Sequence, residues 1–127
     1  MKDHILAVTS AVTIALMLSC TSGQEKYENR LKQFISSYEA KVIPLSKEAA
    51  LASWNANVTG TDRDYALSEK ASFELAKIFT DSVAFAELKA IKESGEVKDS
   101  LLARQLELIY NSYLGGQVDP ELLAEQI

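Results

Sequence analysis

The sequence predicts an all-α fold, and two observations support this prediction. From Glu25 onward the apolar residues recur in steps of three and four, and no stretch alternates as a strand would. Residues that begin and end helices stand between these periodic stretches. Of the 127 residues, 47% are hydrophobic and 24% are charged, which is typical of a globular chain of one domain at most.

The first 24 residues differ from the rest of the chain. An apolar run follows Lys2, extends from Ile5 to Leu18 and ends at Ser19-Cys20. It has the length of a signal-peptide core and is shorter than the roughly 20 residues that a transmembrane helix needs. The Leu-Ser-Cys ending resembles the lipobox of bacterial lipoproteins, in which the cysteine is lipidated and becomes the first residue.

We therefore expect a lipoprotein signal peptide over residues 1–19, lipidation at Cys20 and a flexible tether over residues 20–29. This reading places the chain at the bacterial cell envelope, attached to the membrane by its lipid. An uncleaved anchor and a plain secretory signal with an incidental cysteine are the alternatives. The net charge of −5 argues against nucleic acid as a partner.

The remaining chain, residues 30–127, should form five helices. The first should continue through a kink at Pro44 and end before Gly60, with an inward stripe of Leu31, Phe34, Ile35, Tyr38, Val42, Leu45, Ala49 and Ala52. The second should begin at Thr61-Asp62 and bury Tyr65, Leu67, Ala71, Leu75, Ile78 and Phe79.

A third helix should begin at Thr80-Asp81-Ser82, carry Phe85, Leu88 and Ile91, and stop at Ser94-Gly95. Asp99 should cap a fourth helix that ends near Gly115-Gly116, and Asp119-Pro120 should open a fifth. Two helices are apolar on both sides: the first through Ile43, Ala50 and Trp54, the fourth through Leu101 and Leu108. Such helices need neighbours on both sides, so the sequence resembles part of a larger assembly.

The residues that carry chemistry are few. The single histidine, His4, lies within the predicted signal peptide, and the single cysteine is the predicted lipidation site. No cofactor is therefore expected in this chain. We expect Arg104 to be either a surface residue or a buried ion-pair partner. Seven acids are interpreted as residues of solvated helix faces: Glu69, Glu74, Glu87, Glu93, Glu96, Glu107 and Glu121. Packing is the expected role of Tyr38, Tyr65, Tyr110 and Tyr113.

A family resemblance covers about residues 30–127. The stretch from Ala52 to Thr59, which includes Trp54, Asn55 and Asn57, resembles the end of the long first helix of the angiotensin-converting-enzyme family. The upstream stretch Phe34-Ile35-Ser36-Ser37-Tyr38-Glu39 fits the same helix, and the stretch from Leu102 to Tyr113 is similar to a helix of bacterial homologues.

The resemblance implies the N-terminal lid segment of a helical zinc metallopeptidase that removes C-terminal dipeptides from peptides. In that family two histidines of an H-E-x-x-H motif and a downstream glutamate hold the zinc. None of those residues can be assigned to this chain, so we expect the chain alone to be inactive. Its partners would be the remainder of the peptidase domain, the peptide substrate of the whole enzyme and the membrane. The rival interpretation is a free-standing helical envelope lipoprotein that acts as a binding or adaptor module.

Overall fold

The computed structural model describes the backbone of residues 2–117 and the side chains of residues 23–117. Four α-helices follow one another there: α1 (Lys2–Thr59), α2 (Asp62–Phe79), α3 (Ser82–Ser94) and α4 (Ser100–Gly116). Residues 2–117 contain no strand, so the all-α fold is confirmed. The helix expected to open at Asp119 lies outside the described residues, as do the side chains of the predicted signal peptide and Cys20.

Local capping groups fix the helix boundaries where the sequence predicted them. Gly60 and Gly95 adopt left-handed φ angles of 66° and 65° after α1 and α3, a conformation that glycine reaches without a Cβ clash. The side chain of Thr61 accepts a hydrogen bond at the start of α2, and those of Asp81 and Asp99 each accept two at the starts of α3 and α4. These bonds satisfy amide groups that have no partner within a first helical turn.

The predicted tether is corrected where α1 enters the fold. The helix runs without a break through residues 20–29 and through Pro44. Tyr27 packs against the core, and the Glu28 carboxylate bonds to the backbone ahead of α4. The polar composition of this stretch suggested a linker, but contacts with residues far away in sequence hold it in the bundle.

A three-helix bundle forms the larger part of the core. It joins the middle of α1, from Tyr27 to Tyr38, to α3 and α4, and Leu31, Leu88 and Ile91 are fully buried at its centre. α4 begins beside Glu28, runs in the same direction as α1 and ends against Phe79, the last residue of α2. Four aromatic rings pack together at the end of the bundle where α4 stops, at centroid distances of 5.6–6.4 Å: Phe34, Tyr38, Phe79 and Tyr113.

The end of α1 and α2 form a hairpin arm (residues 42–79), which projects beyond this bundle except at Ile78 and Phe79, where α2 packs against the core. Its buried side chains are small: Ala49, Ala56 and Ala71. Tyr65 and Leu67 are 51% and 50% exposed, so their predicted burial is wrong. A two-helix layer covers only one stripe of each helix, and α4 contacts α2 at the end of the arm, where Phe79 lies.

Candidate functional site

The four motif residues of the family resemblance lie near the tip of the hairpin arm, but they do not converge. The Trp54 ring is 68% exposed. Asn55 lines a groove between α1 and α2, whereas Asn57 donates a hydrogen bond to the Ser53 carbonyl of its own helix at 2.8 Å. Thr59 bonds to Asp64 across the α1–α2 turn. Each of these side chains therefore has a separate environment.

A hydrogen-bonded turn joins α1 to α2 at the tip. The hydroxyls of Thr59 and Thr61 donate to one carboxylate oxygen of Asp64 at 2.5 and 2.9 Å. The backbone N–H of Asp64 in turn donates to the Thr61 hydroxyl at 3.2 Å. The bond from Thr59, followed by that from Thr61, lowers the pKa of the Asp64 carboxyl because both stabilise the carboxylate. The Thr59 of the motif thus fixes the geometry of the turn.

A groove beside this turn has a volume of about 360 Å³. Its floor is apolar and its rim is charged, and two rim carboxylates are already bonded: Asp64 to the turn and Glu74 to Lys77 at 2.9 Å. The groove combines three carboxylates, one amide and one ammonium group with two leucine and two alanine side chains. The groove is lined by Glu48, Leu51, Ala52, Asn55, Asp64, Leu67, Lys70, Ala71 and Glu74.

Five of the seven acids singled out in the sequence lie on helices, namely Glu69, Glu74, Glu87, Glu93 and Glu107, whereas Glu96 lies in the loop between α3 and α4. The Arg30 guanidinium binds both carboxylate oxygens of Glu87, at 3.0 and 2.7 Å. Arg104 is exposed and Glu69 is exposed, while Glu121 lies outside the described residues. Of the four tyrosines assigned to packing, Tyr113 is buried and Tyr38 and Tyr110 pack against the core, but Tyr65 is exposed. The remaining ion pairs that involve these acids are Lys77–Glu74, Lys89–Glu93 and Lys92–Glu107.

A polar joint between α1 and α4 was missed by the sequence reasoning. The Glu28 carboxylate accepts the backbone N–H groups of Lys98 and Asp99 at 3.1 and 3.0 Å, and Gln24 donates to the same oxygen at 3.1 Å. The bond from Asp99 is the main reason that the pKa of Glu28 is lowered. Because the partners lie some 70 positions apart, no local pattern marks them.

Neither a metal site nor a membrane-spanning helix has a candidate among the described residues. In the part of the chain that the structure describes, no three histidine, cysteine or acidic side chains come together as a metal site. No helix of that part is both long and apolar enough to cross a membrane. Comparison with known protein families, curated proteins and solved structures finds no match to this chain. The peptidase relationship stays a prediction that rests on the motif residues.

Proposed function

We propose that this chain is the N-terminal helical segment of a larger zinc metallopeptidase that removes C-terminal dipeptides from peptides. One observation supports this assignment above the others: α4 is apolar on two sides. Leu102 and Leu106 are buried in the bundle, whereas Leu101 and Leu108 point away from it and are 68% and 57% exposed. Each of these leucines would contribute about 1.5–3 kcal/mol if it were covered, and the rest of a peptidase domain would cover both.

In this proposal the chain supplies helices that pack against the rest of the peptidase domain, and it supplies no reacting group. The zinc ligands and the glutamate that activates water belong to the remainder of the enzyme. The hairpin arm corresponds by resemblance to the lid over the channel of the angiotensin-converting-enzyme family. Cys20 anchors the assembly to the bacterial envelope through its lipid.

A second function, a free-standing binding module of the cell envelope, is favoured by a different observation. The three-helix bundle is complete in itself: the starts of α2, α3 and α4 are capped by side chains. Among the described side chains, no buried nitrogen or oxygen atom lacks a hydrogen-bond partner. Such closure is what an independently folding module requires.

Identification of the native gene product separates the two functions. Antibodies raised against the purified chain would be used to isolate the antigen from envelopes of the native bacterium. The peptidase proposal expects a polypeptide several times larger than 14.0 kDa that carries zinc and releases dipeptides from a blocked tripeptide. Activity should disappear with a chelator and return with zinc. An antigen no larger than 14.0 kDa, without zinc or dipeptide release, would establish the module instead.

The anchor can be tested independently of the peptidase activity. Cys20→Ala should abolish incorporation of a fatty-acid label and change both the processing and the membrane retention of the chain, because the thiol is the proposed acylation site. Ser22→Ala, two residues away, is the matched control and should leave label and membrane retention unchanged. Equal labelling and retention of both variants would contradict the lipid anchor while leaving the peptidase proposal standing.

A further inference from the structure

One outward face of α1 carries a strip of exposed side chains on the hairpin arm. Ile43, Trp54 and Val58 are 61%, 68% and 66% exposed, and Leu51 is 55% exposed. Steps of three and four residues keep these positions on one side of the helix, over a length of about 22 Å. We call this face the α1 strip, and it consists of Ile43, Lys47, Ala50, Leu51, Trp54 and Val58.

The outer two residues of the α1 strip are alike and lie at matching distances from its midpoint. Ile43 and Val58 lie equally far from the point between Ala50 and Leu51, and both are β-branched and apolar. A twofold axis through that point would place Ile43 of one chain level with Val58 of the other. Self-complementary faces of this kind form the isologous interfaces of twofold dimers.

We propose that the α1 strip binds a second copy of this chain as an antiparallel helix pair. The charge on the strip fits that occupant. The twofold axis places Lys47 level with Trp54 of the other copy, and a lysine over an indole face forms a cation–π contact. This pairing occurs twice in the dimer. Beside the axis, Ala50 of one copy is level with Leu51 of the other, so the small alanine side chain makes room for the leucine.

A membrane surface fits the α1 strip less well. Lys47 lies within the apolar face rather than along its borders, whereas helices that lie on membranes keep their basic residues on the polar face. The net charge of −5 also opposes attraction to anionic lipids. The contact is one helix wide, so its buried area belongs to the lower end of specific interfaces and we expect micromolar affinity.

The α1 strip is separate from the face of α4 on which the peptidase proposal rests. Leu101 and Leu108 lie on the three-helix bundle, whereas Ile43 to Val58 lie on the hairpin arm. A dimer could therefore form whether or not the chain continues into a peptidase domain.

Cysteine cross-linking tests the twofold geometry directly. Ala50→Cys places a thiol beside its own copy at the axis, and Ser112→Cys places one at an exposed position on α4 as the matched control. The parent full-length chain, which keeps Cys20, gives the background. Under mild oxidation in host envelopes and after purification, Ala50→Cys should form covalent dimers at least about tenfold faster than Ser112→Cys, because thiols must approach closely to pair. Equal rates for the two variants would overturn the proposal.

A charge reversal then tests the chemistry of the contact. Lys47→Glu should raise the dimer dissociation constant about tenfold through the loss of two cation–π contacts, as measured by sedimentation of the full-length chain. Lys41→Glu makes the same charge change at an exposed position of α1 outside the strip and should alter the constant less than about twofold. Trp54 is the only tryptophan, so its emission should shift to the blue with protein concentration in the parent chain.

Emission that does not depend on concentration would overturn the proposal. So would a shift that appears only when vesicles of phosphatidylglycerol and phosphatidylethanolamine are added to the dilute chain, because lipid would then be the occupant. Equal effects of Lys47→Glu and Lys41→Glu on the dissociation constant would overturn the Lys47–Trp54 pairing and thereby the proposed register.

Discussion

Replacing Gly116 by alanine would place a methyl group where the backbone of Phe79 already lies. A Cβ at this position would be 2.5 Å from the Phe79 carbonyl oxygen and 2.7 Å from its carbonyl carbon. The same carbonyl accepts a hydrogen bond from the Gln117 side chain at 2.8 Å. Because the obstacle is backbone at the junction of α2 and α3, the clash can be relieved only by moving α4 away from α2.

The neighbouring glycine supplies a matched control. A Cβ on Gly115 would meet no atom within 4 Å. Both glycines lie in the last turn of α4, so both substitutions have a similar effect on helix propensity. That effect is a gain of up to about 1 kcal/mol in a helix interior and less at a helix end. Overpacking typically costs about 1–3 kcal/mol. We therefore expect Gly116→Ala to be less stable than Gly115→Ala by about 1–3 kcal/mol.

Urea unfolding followed by circular dichroism measures this difference on the purified chain. Thermal unfolding should also separate the two variants, because a stability difference of about 1 kcal/mol shifts the unfolding midpoint of a domain of this size by about 4–8 °C. The Gly115→Ala variant should unfold at or slightly above the midpoint of the parent chain. Equal stability of the two alanine variants would show that α4 does not pack against the Phe79 carbonyl as described, and the reasoning would fail.

Two further substitutions test the core and the polar joint. Leu31 is fully buried, so Leu31→Ala should lower the free energy of unfolding by about 2–5 kcal/mol in urea titrations, whereas Leu101→Ala at a 68% exposed site should change it by less than about 0.5 kcal/mol. Similar losses at both sites would contradict the assigned core. The folded-state pKa of Glu28 is lowered, first by the bond from Asp99, so its contribution to stability is present above its unfolded-state pKa and is lost as pH falls through the folded-state value. The stability difference between the parent chain and Glu28→Gln should therefore shrink between about pH 6 and pH 3, and a difference that stays constant over this range would refute the joint.

The helices and their boundaries could be predicted from the sequence because their determinants are local. Asp81 and Asp99 accept hydrogen bonds from amides two and three residues ahead, so the cap and the groups it satisfies are adjacent in the chain. Gly60 and Gly95 end α1 and α3 through their own backbone freedom. The exposure of Ile43, Trp54, Leu101 and Leu108 also followed from their positions opposite the inward stripes.

The candidate site was predicted less well. The motif residues Trp54, Asn55, Asn57 and Thr59 are close in sequence, but on a helix neighbouring residues point in different directions. Only the tertiary structure shows that Thr59 bonds to Asp64 while Asn55 faces a groove shared with α2. The periodicity of α1 does not indicate which side chains of α2 form the other side of this groove.

The tertiary structure alone decided which apolar stripes are covered. Tyr65 and Leu67 have helical spacing like that of buried residues, yet the hairpin arm is two helices thick and leaves them half exposed. Tyr27 and Glu28 lie in a stretch with the composition of a linker, yet α3 and α4 hold them in place. The sequence determines a helix through contacts within a few residues, whereas the burial of its faces depends on neighbours that reach it from distant parts of the chain.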